Sequence, residues 1–190
     1  MKLVFGHGNP GEKYRFTRHN VGFLVIDYLS NFYDIELNTY LLQTMVGKGY
    51  IKEEKIILAK PLTFVNESGR SLSQLQEKYQ IKFKDIILIS DDANLEIGRI
   101  KIAQKGGDGG HKGLRSIIQC LNTDQIPRLR VGIGSPYKRE ELIEYVLGEF
   151  TLREKKIIKE TIEKATQAVN TIITEGIDKA MREYNREYTS

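Results

Sequence analysis

The chain has 190 residues and is 40% hydrophobic, enough to bury one sizeable core, so one domain spanning residues 1–190 is expected. No apolar run approaches the length that crosses a bilayer, which argues against a helical membrane protein, and Lys2 running straight into Leu3-Val4-Phe5 does not give the pattern of a cleavable signal peptide. The net charge is only +4, but nine basic residues (Arg99, Lys101, Lys105, Lys112, Arg115, Arg128, Arg130, Lys138 and Arg139) face only Asp108 and Asp124 between 99 and 139; that stretch carries +7 against about −3 for the remainder, which points to a polyanionic partner.

Leu3-Val4-Phe5 reads as a first strand, ending in the turn Gly6-His7-Gly8-Asn9-Pro10-Gly11. The i, i+3, i+4 series Val21, Leu24, Val25, Tyr28, Leu29 and Phe32 predicts a helix from about Asn20 to Phe32. Strands are expected near Thr44–Tyr50 and Lys55–Ala59, with Pro61 as the break, followed by a helix from about Ser68 to Tyr79. Ile86-Ile87-Leu88-Ile89 is a continuous branched apolar run, as in a strand buried on both faces, and it ends at Asp91-Asp92. Arg99–Gln104 alternates as a half-exposed strand. A glycine-rich loop, Gly106–Gly113, leads into a helix carrying Leu114, Ile117, Ile118 and Leu121. Cys120 lies on this apolar stripe beside Leu121 and, having no second cysteine to pair with, is expected to be an inert core thiol. Arg128–Ile133 is a further strand. In the tail, Thr151 and Glu154 form a capping-box pattern; Ile158, Ile162, Ala165, Val169 and Ile172 form a buried stripe; Gly176 stops the helix, and a short last helix follows. Strands alternating with helices predict an α/β sheet covered on both sides.

Gly6-x-Gly8-x-x-Gly11 matches the dinucleotide fingerprint in letters only. In that motif the helix opens inside the glycines and holds the pyrophosphate; here the helical pattern begins only near Asn20. The turn does place Asn9 at the carboxyl end of a strand, where α/β folds keep their sites. His19 stands at the start of the first helix, whose positive end would disfavour imidazolium and keep the ring neutral, as a base requires; a histidine that merely caps or packs is the plainer reading. Asp91 could hold an imidazole in one tautomer, or the Asp91-Asp92-x-Asn94 segment could be an ordinary turn; spacing does not separate the two. Asn66 could donate to a carbonyl or serve as an N-cap. The glycines of 106–113 could free backbone N–H groups into an anion nest, reinforced by the following helix N-terminus. His7, His19 and His111 show no metal-ligand spacing, and there is no Gly-x-Ser-x-Gly elbow for a serine nucleophile.

The run from Gly6 to Gly22, reading Gly-His-Gly-Asn-Pro-Gly-Glu-Lys-Tyr-Arg-Phe-Thr-Arg-His-Asn-Val-Gly, resembles the first signature of bacterial-type peptidyl-tRNA hydrolases. Thr63–Gly69, Asp91 with Asn94, Gly109-Gly110-His111 and Arg128–Gly134 resemble later blocks of that family in the same order. The resemblance implies a twisted mixed sheet between helices, with C-terminal helices at about 151–188 packed on it. It also implies hydrolysis of the ester joining a peptide to the tRNA 3′ ribose, which recycles peptidyl-tRNA released from stalled ribosomes. His19 would be the general base, Asp91 its carboxylate partner, and Asn9 and Asn66 amides that hold the ester. His111 would lie near the tRNA end and Arg130 in a phosphate clamp, with Tyr14, Phe64, Lys101, Lys105 and Lys112 completing the binding set. No cofactor or metal is implied, and a cytoplasmic monomer acting on the acceptor stem and 3′ end is expected. The chain departs from the family pattern at Lys112, where an asparagine is usual, at Ala103, often a second clamp lysine, at Val65, usually methionine, and at His7, usually leucine. The first two leave room for a catalytically weak or inactive RNA-binding relative of the same family as the alternative.

Overall fold

In the computed structural model, which describes residues 1–186, seven strands form one mixed sheet. The expected tail beyond 186, to 188, lies outside the described residues. β1 (Lys2–Gly6), β4 (Glu54–Pro61), β5 (Ile86–Asp92) and β7 (Arg128–Gly132) are parallel, in the order β4-β1-β5-β7. β3 (Thr44–Ile51) runs antiparallel to β4 and carries β2 (Thr39–Leu41) outside it, and β6 (Ile100–Ala103) forms the other edge antiparallel to β7.

The parallel strands are apolar on both sides because both sides are covered. Val4, Ile87, Ile89, Leu129 and Val131 pack against α1 (Val21–Phe32) and α5 (Leu152–Glu175), with α6 (Ile177–Tyr184) contributing Ala180. Leu3, Phe5, Ile86 and Leu88 face α2 (Ser68–Tyr79) and α3 (Lys112–Leu121), which contribute Leu72, Leu75, Leu114, Ile117 and Leu121. A fully buried Ile or Leu contributes about 1.5–3 kcal/mol over an exposed one, so these two cores on either side of one sheet, rather than helix propensity, hold the layers together. α1 lies close against β1: a Cβ at Gly6 would come 2.5 Å from Ile26 Cγ1, and one at Gly22 would come 2.5 Å from the His7 carbonyl oxygen. These glycines serve helix–strand approach, and α1 begins at Val21, well outside the glycine turn.

The tail helix starts at a complete capping box: the Thr151 hydroxyl accepts from Glu154 N–H, and the Glu154 carboxylate accepts from Thr151 N–H. Asn185, just past α6, turns its side-chain amide onto β6, accepting from Ile102 N–H at 2.7 Å and donating to Ile102 C=O at 2.8 Å. Several expectations are corrected. Pro61 ends β4 rather than lying beyond it. β2 and the six-residue α4 (Leu142–Leu147) were not expected. Cys120 is exposed, not a core thiol: Leu114, Ile117 and Leu121 are buried, while Cys120 turns away on the same helix. No described helix is long and apolar enough to cross a membrane.

The chain leaves β1 to build the β2–β3–β4 side, then returns for β5 and builds the β7–β6 side. The carboxyl ends of β1 and β5 therefore flank a topological switch point, the place where open α/β sheets form their crevice.

Candidate active site

Three histidines and one aspartate converge at that switch point. His7 leaves the end of β1, with its N–H bonded to Ile89 C=O at 2.8 Å. His19 comes from the one-turn 3-10 segment Arg18–Asn20 that leads into α1, Asp91 from β5, and His111 from the cap of α3. Because β5 is buried on both faces, strand alternation decides which aspartate enters the site. Asp91 shares the face of Ile87 and Ile89, whereas Asp92 lies on the other side and pairs with Arg130 at 2.8 Å. Asp92 also accepts from Asn94 N–H, so one segment gives an imidazole partner at Asp91 and an ordinary turn at Asp92.

Asp91 Oδ1 accepts from His19 Nδ1 at 2.9 Å and from His111 Nε2 at 3.0 Å. Burial by itself would raise the Asp91 carboxyl, but the adjacent imidazoles and their hydrogen bonds hold it well below the usual carboxylate range. Burial likewise lowers His19, yet the Asp91 charge and hydrogen bond outweigh it and raise the imidazole above 6.5. This overturns the expectation that the helix terminus alone would keep His19 neutral, since a carboxylate in contact exceeds a helix-end effect of about 0.3–1 kcal/mol. With Nδ1–H directed at Asp91, the neutral ring has its lone pair on Nε2.

Neighbouring bonds fix the surrounding loops. Asn9 Oδ1 accepts from Val65 N–H at 3.0 Å, and Asn9 exchanges two 2.9 Å bonds with the Asn20 side chain. Its amide Nδ2 makes no hydrogen bond among the described residues and is free to donate. Asn66 is exposed in the turn Val65–Glu67 and does not cap α2, so the N-cap reading falls. Phe64 is 55% exposed beside it, and Tyr14 is half-buried in the turn Glu12–Tyr14. Arg18, next to His19, donates to Glu149 C=O at 2.7 Å and to Glu154 at 2.9 Å and lies over the Tyr145 ring, binding the His19-bearing turn to the α4–α5 junction.

His7 is the residue that sequence reasoning missed, noted there as a departure from leucine and as a histidine without metal-ligand spacing. It is fully buried, and neither ring nitrogen has a hydrogen-bond partner among the described residues. Its ring lies 4.9 Å from that of His111 and 6.4 Å from that of His19. Burial, reinforced by the neighbouring histidines, pushes it well below 6.5, so it is neutral. Its signal in the sequence was position: a titratable residue directly following the first buried strand.

The glycine loop is not the open anion nest expected. Gly110 N–H donates to the Asp108 carboxylate at 2.7 Å, and Gly113 and Leu114 N–H donate to His111 Nδ1 at 3.2 Å. These N–H groups of the loop and of the first turn of α3 are thus satisfied from within. Arg128 is buried and donates to Gly107 C=O at 2.6 Å, bracing this loop. Lys101, Lys105 and Lys112 are exposed. Lys101 and Arg130 are cross-strand partners on the same face, but Arg130 is engaged by Asp92 rather than free as a clamp. One ligand atom from each of His19, Asp91 and His111 falls within 4.8 Å of the others, a separation that invites a metal. The hydrogen bonds favour a different use: His111 Nε2 could shed its proton only to Nδ1, which already accepts two backbone N–H groups.

Fold and site together define a class, an α/β enzyme with a histidine–aspartate pair at the switch point of a mixed sheet. Comparison with known proteins narrows this. The model of the family described as peptidyl-tRNA hydrolase matches residues 3–190. A peptidyl-tRNA hydrolase of Clostridium botulinum (strain Alaska E43 / Type E3) is 47% identical, covering 97% of this chain and 96% of its own. One from Caldanaerobacter subterraneus subsp. tengcongensis is 45% identical, covering 97% and 100%. The crystal structure of peptidyl-tRNA hydrolase from Acinetobacter baumannii superposes with a TM-score of 0.93 at 33% identity, covering 97% of this chain and 94% of the other. The chain belongs to the peptidyl-tRNA hydrolase family.

Proposed function

We propose that this chain hydrolyses the ester between a peptide, or an N-acyl-amino acid, and the 3′ ribose of tRNA, with His19 as general base. The observation that carries the reading is the 2.9 Å bond from His19 Nδ1 to buried Asp91, which leaves Nε2 as the free lone pair. Nε2 takes a proton from water as the water attacks the ester carbonyl, and the imidazolium that forms is stabilised by Asp91. Asn9 Nδ2 and the exposed Asn66 amide would serve the carbonyl and its oxyanion, with the exposed Phe64 beside Asn66 for the peptide; Tyr14 is carried as a substrate contact on the family resemblance. A positioned base contributes about 10²–10⁴ in rate and an oxyanion donor about 10²–10³. Lys101, Lys105 and Lys112 would meet the phosphates of the acceptor stem and 3′ end. Arg130 joins them to the extent that a phosphate displaces Asp92. The family match supports recycling of peptidyl-tRNA; a cytoplasmic location and a monomeric state complete the proposal.

The test is release of labelled N-acyl-amino acid from N-acyl-aminoacyl-tRNA. His19→Ala should abolish turnover and leave tRNA binding nearly intact, and Asp91→Asn should lose less. A His19→Ala enzyme that keeps more than roughly a tenth of the wild-type kcat would refute the assignment, because a general base is worth at least about 10².

A further inference from the structure

His111 makes two kinds of bond at once. Its Nδ1 accepts from Gly113 and Leu114 N–H as the N-cap of α3. A ring nitrogen that accepts N–H bonds holds a lone pair, so the proton of the neutral ring is on Nε2. That proton is directed at Asp91 Oδ1, the same oxygen that receives Nδ1–H from His19. Two imidazoles therefore draw on one carboxylate oxygen, and only one of them has its tautomer set by the backbone of a helix.

We propose that His111 is a positioning residue that acts through Asp91: α3 locks its tautomer, its donated proton takes up part of the Asp91 charge, and His19 is left a weaker base that returns more readily to its neutral form. A carboxylate with His19 as its sole partner would hold the imidazolium more tightly, since an opposite charge favours the charged form and a competing donor disperses that charge. The proposal rests on the reading of His19 as the base. Among the described residues, the titratable groups that face His111 are His7 from the end of β1, His19 from the turn before α1 and Asp91 from β5. Asp92, next along β5, is on the opposite face with Arg130. His7 brings shape rather than charge. A Cβ at position 113 would come 1.8 Å from His7 Cε1, so the first turn of α3 rests on the His7 ring, and that seat sets where His111 stands.

Two variants separate the roles. His111→Asn keeps a strong N-cap but ends short of the Nε2 position. His111→Gln has as many bonds from Cβ to its terminal nitrogen as histidine, so it reaches Asp91 but gives up the cap. With three histidines in the chain, the His19 imidazole can be followed by NMR alongside the pH profile of kcat/KM. In His111→Asn, His19 should titrate higher by roughly half a unit or more, the acid limb of kcat/KM should move with it, and the melting temperature should hold. In His111→Gln, His19 should titrate near its wild-type position while the melting temperature falls. An unshifted His19 in His111→Asn, with only KM raised, would overturn the proposal and make His111 a substrate contact alone. An NMR shift without movement of the acid limb would support the coupling through Asp91 while removing His19 as the base.

Discussion

His7→Leu is expected to stabilise the protein, and by more in acid than in alkali. His7 is fully buried with both ring nitrogens unpaired, and an unsatisfied buried polar group costs about 1–3 kcal/mol. Leucine of similar volume removes that cost at every pH. The second contribution comes from linkage. Burial, with the charges of His111 and His19, depresses the folded-state value well below 6.5. Below 6.5 the unfolded chain therefore binds a proton that the folded chain refuses. Wild-type stability is intact above the unfolded value and declines as the pH falls towards the folded one, at about 1.4 kcal/mol per pH unit. Between about pH 8 and about pH 5 this amounts to about 2 kcal/mol if the folded ring stays neutral. The His7→Leu variant lacks the loss. His19, raised by Asp91, contributes with the opposite sign, but it is present in both proteins and drops out of their difference. Urea denaturation of both proteins at the two pH values, with m-values compared, measures the effect. A stability difference independent of pH would refute the reasoning, because it would mean that His7 takes up a proton in the folded state as easily as in the unfolded one.

Two further expectations follow from the site. Because Asp91 more than offsets the effect of burial on His19, kcat/KM should fall as the pH drops through an acid limb centred above 6.5; a wild-type limb centred below 6.5 would contradict the pairing. Lys101 is exposed and Arg130 is neutralised by Asp92, so Lys101→Ala should flatten the dependence of log K for tRNA on log salt by about 0.7–0.9, one phosphate, and Arg130→Ala by less. A full unit lost at Arg130 and none at Lys101 would reverse that view of the tRNA face.

Where local rules act alone, the sequence sufficed. α2 runs from Ser68 to Tyr79 as its pattern implied, and the Thr151–Glu154 box opens α5. β2 escaped notice because Thr39–Leu41 is three residues long with no buried member, and α4 because none of its six residues is buried. Periodicity registers full burial, and both elements have at most partly buried residues such as Leu41, Tyr145 and Val146. Cys120 misled because adjacency to Leu121 was mistaken for membership of its stripe. At the site, Asp91 and Asp92 were indistinguishable because Ile86–Ile89 is apolar on both faces, so alternation carries no sign; only packing of α1 on one side and α3 on the other separates them. The self-satisfied glycine loop was equally hidden, since nothing in Gly106–Gly113 says that Asp108 and His111 fold back onto their own N–H groups.

Asn185 has a consequence for how the molecule meets its own copies. The outer edge of β6 would offer Ile102 N–H and C=O to any passing strand, and a bare edge is a template for intermolecular pairing. The Asn185 amide presents one acceptor and one donor there, imitating the peptide group of a neighbouring strand but with no chain continuing behind it. Addition of a strand is answered by a single side chain and goes no further. A chain cut back to Tyr184 would keep its His19–Asp91 pair and both cores, yet it would expose two unpaired groups beside Lys101, and the damage would show first as self-association on warming or concentration.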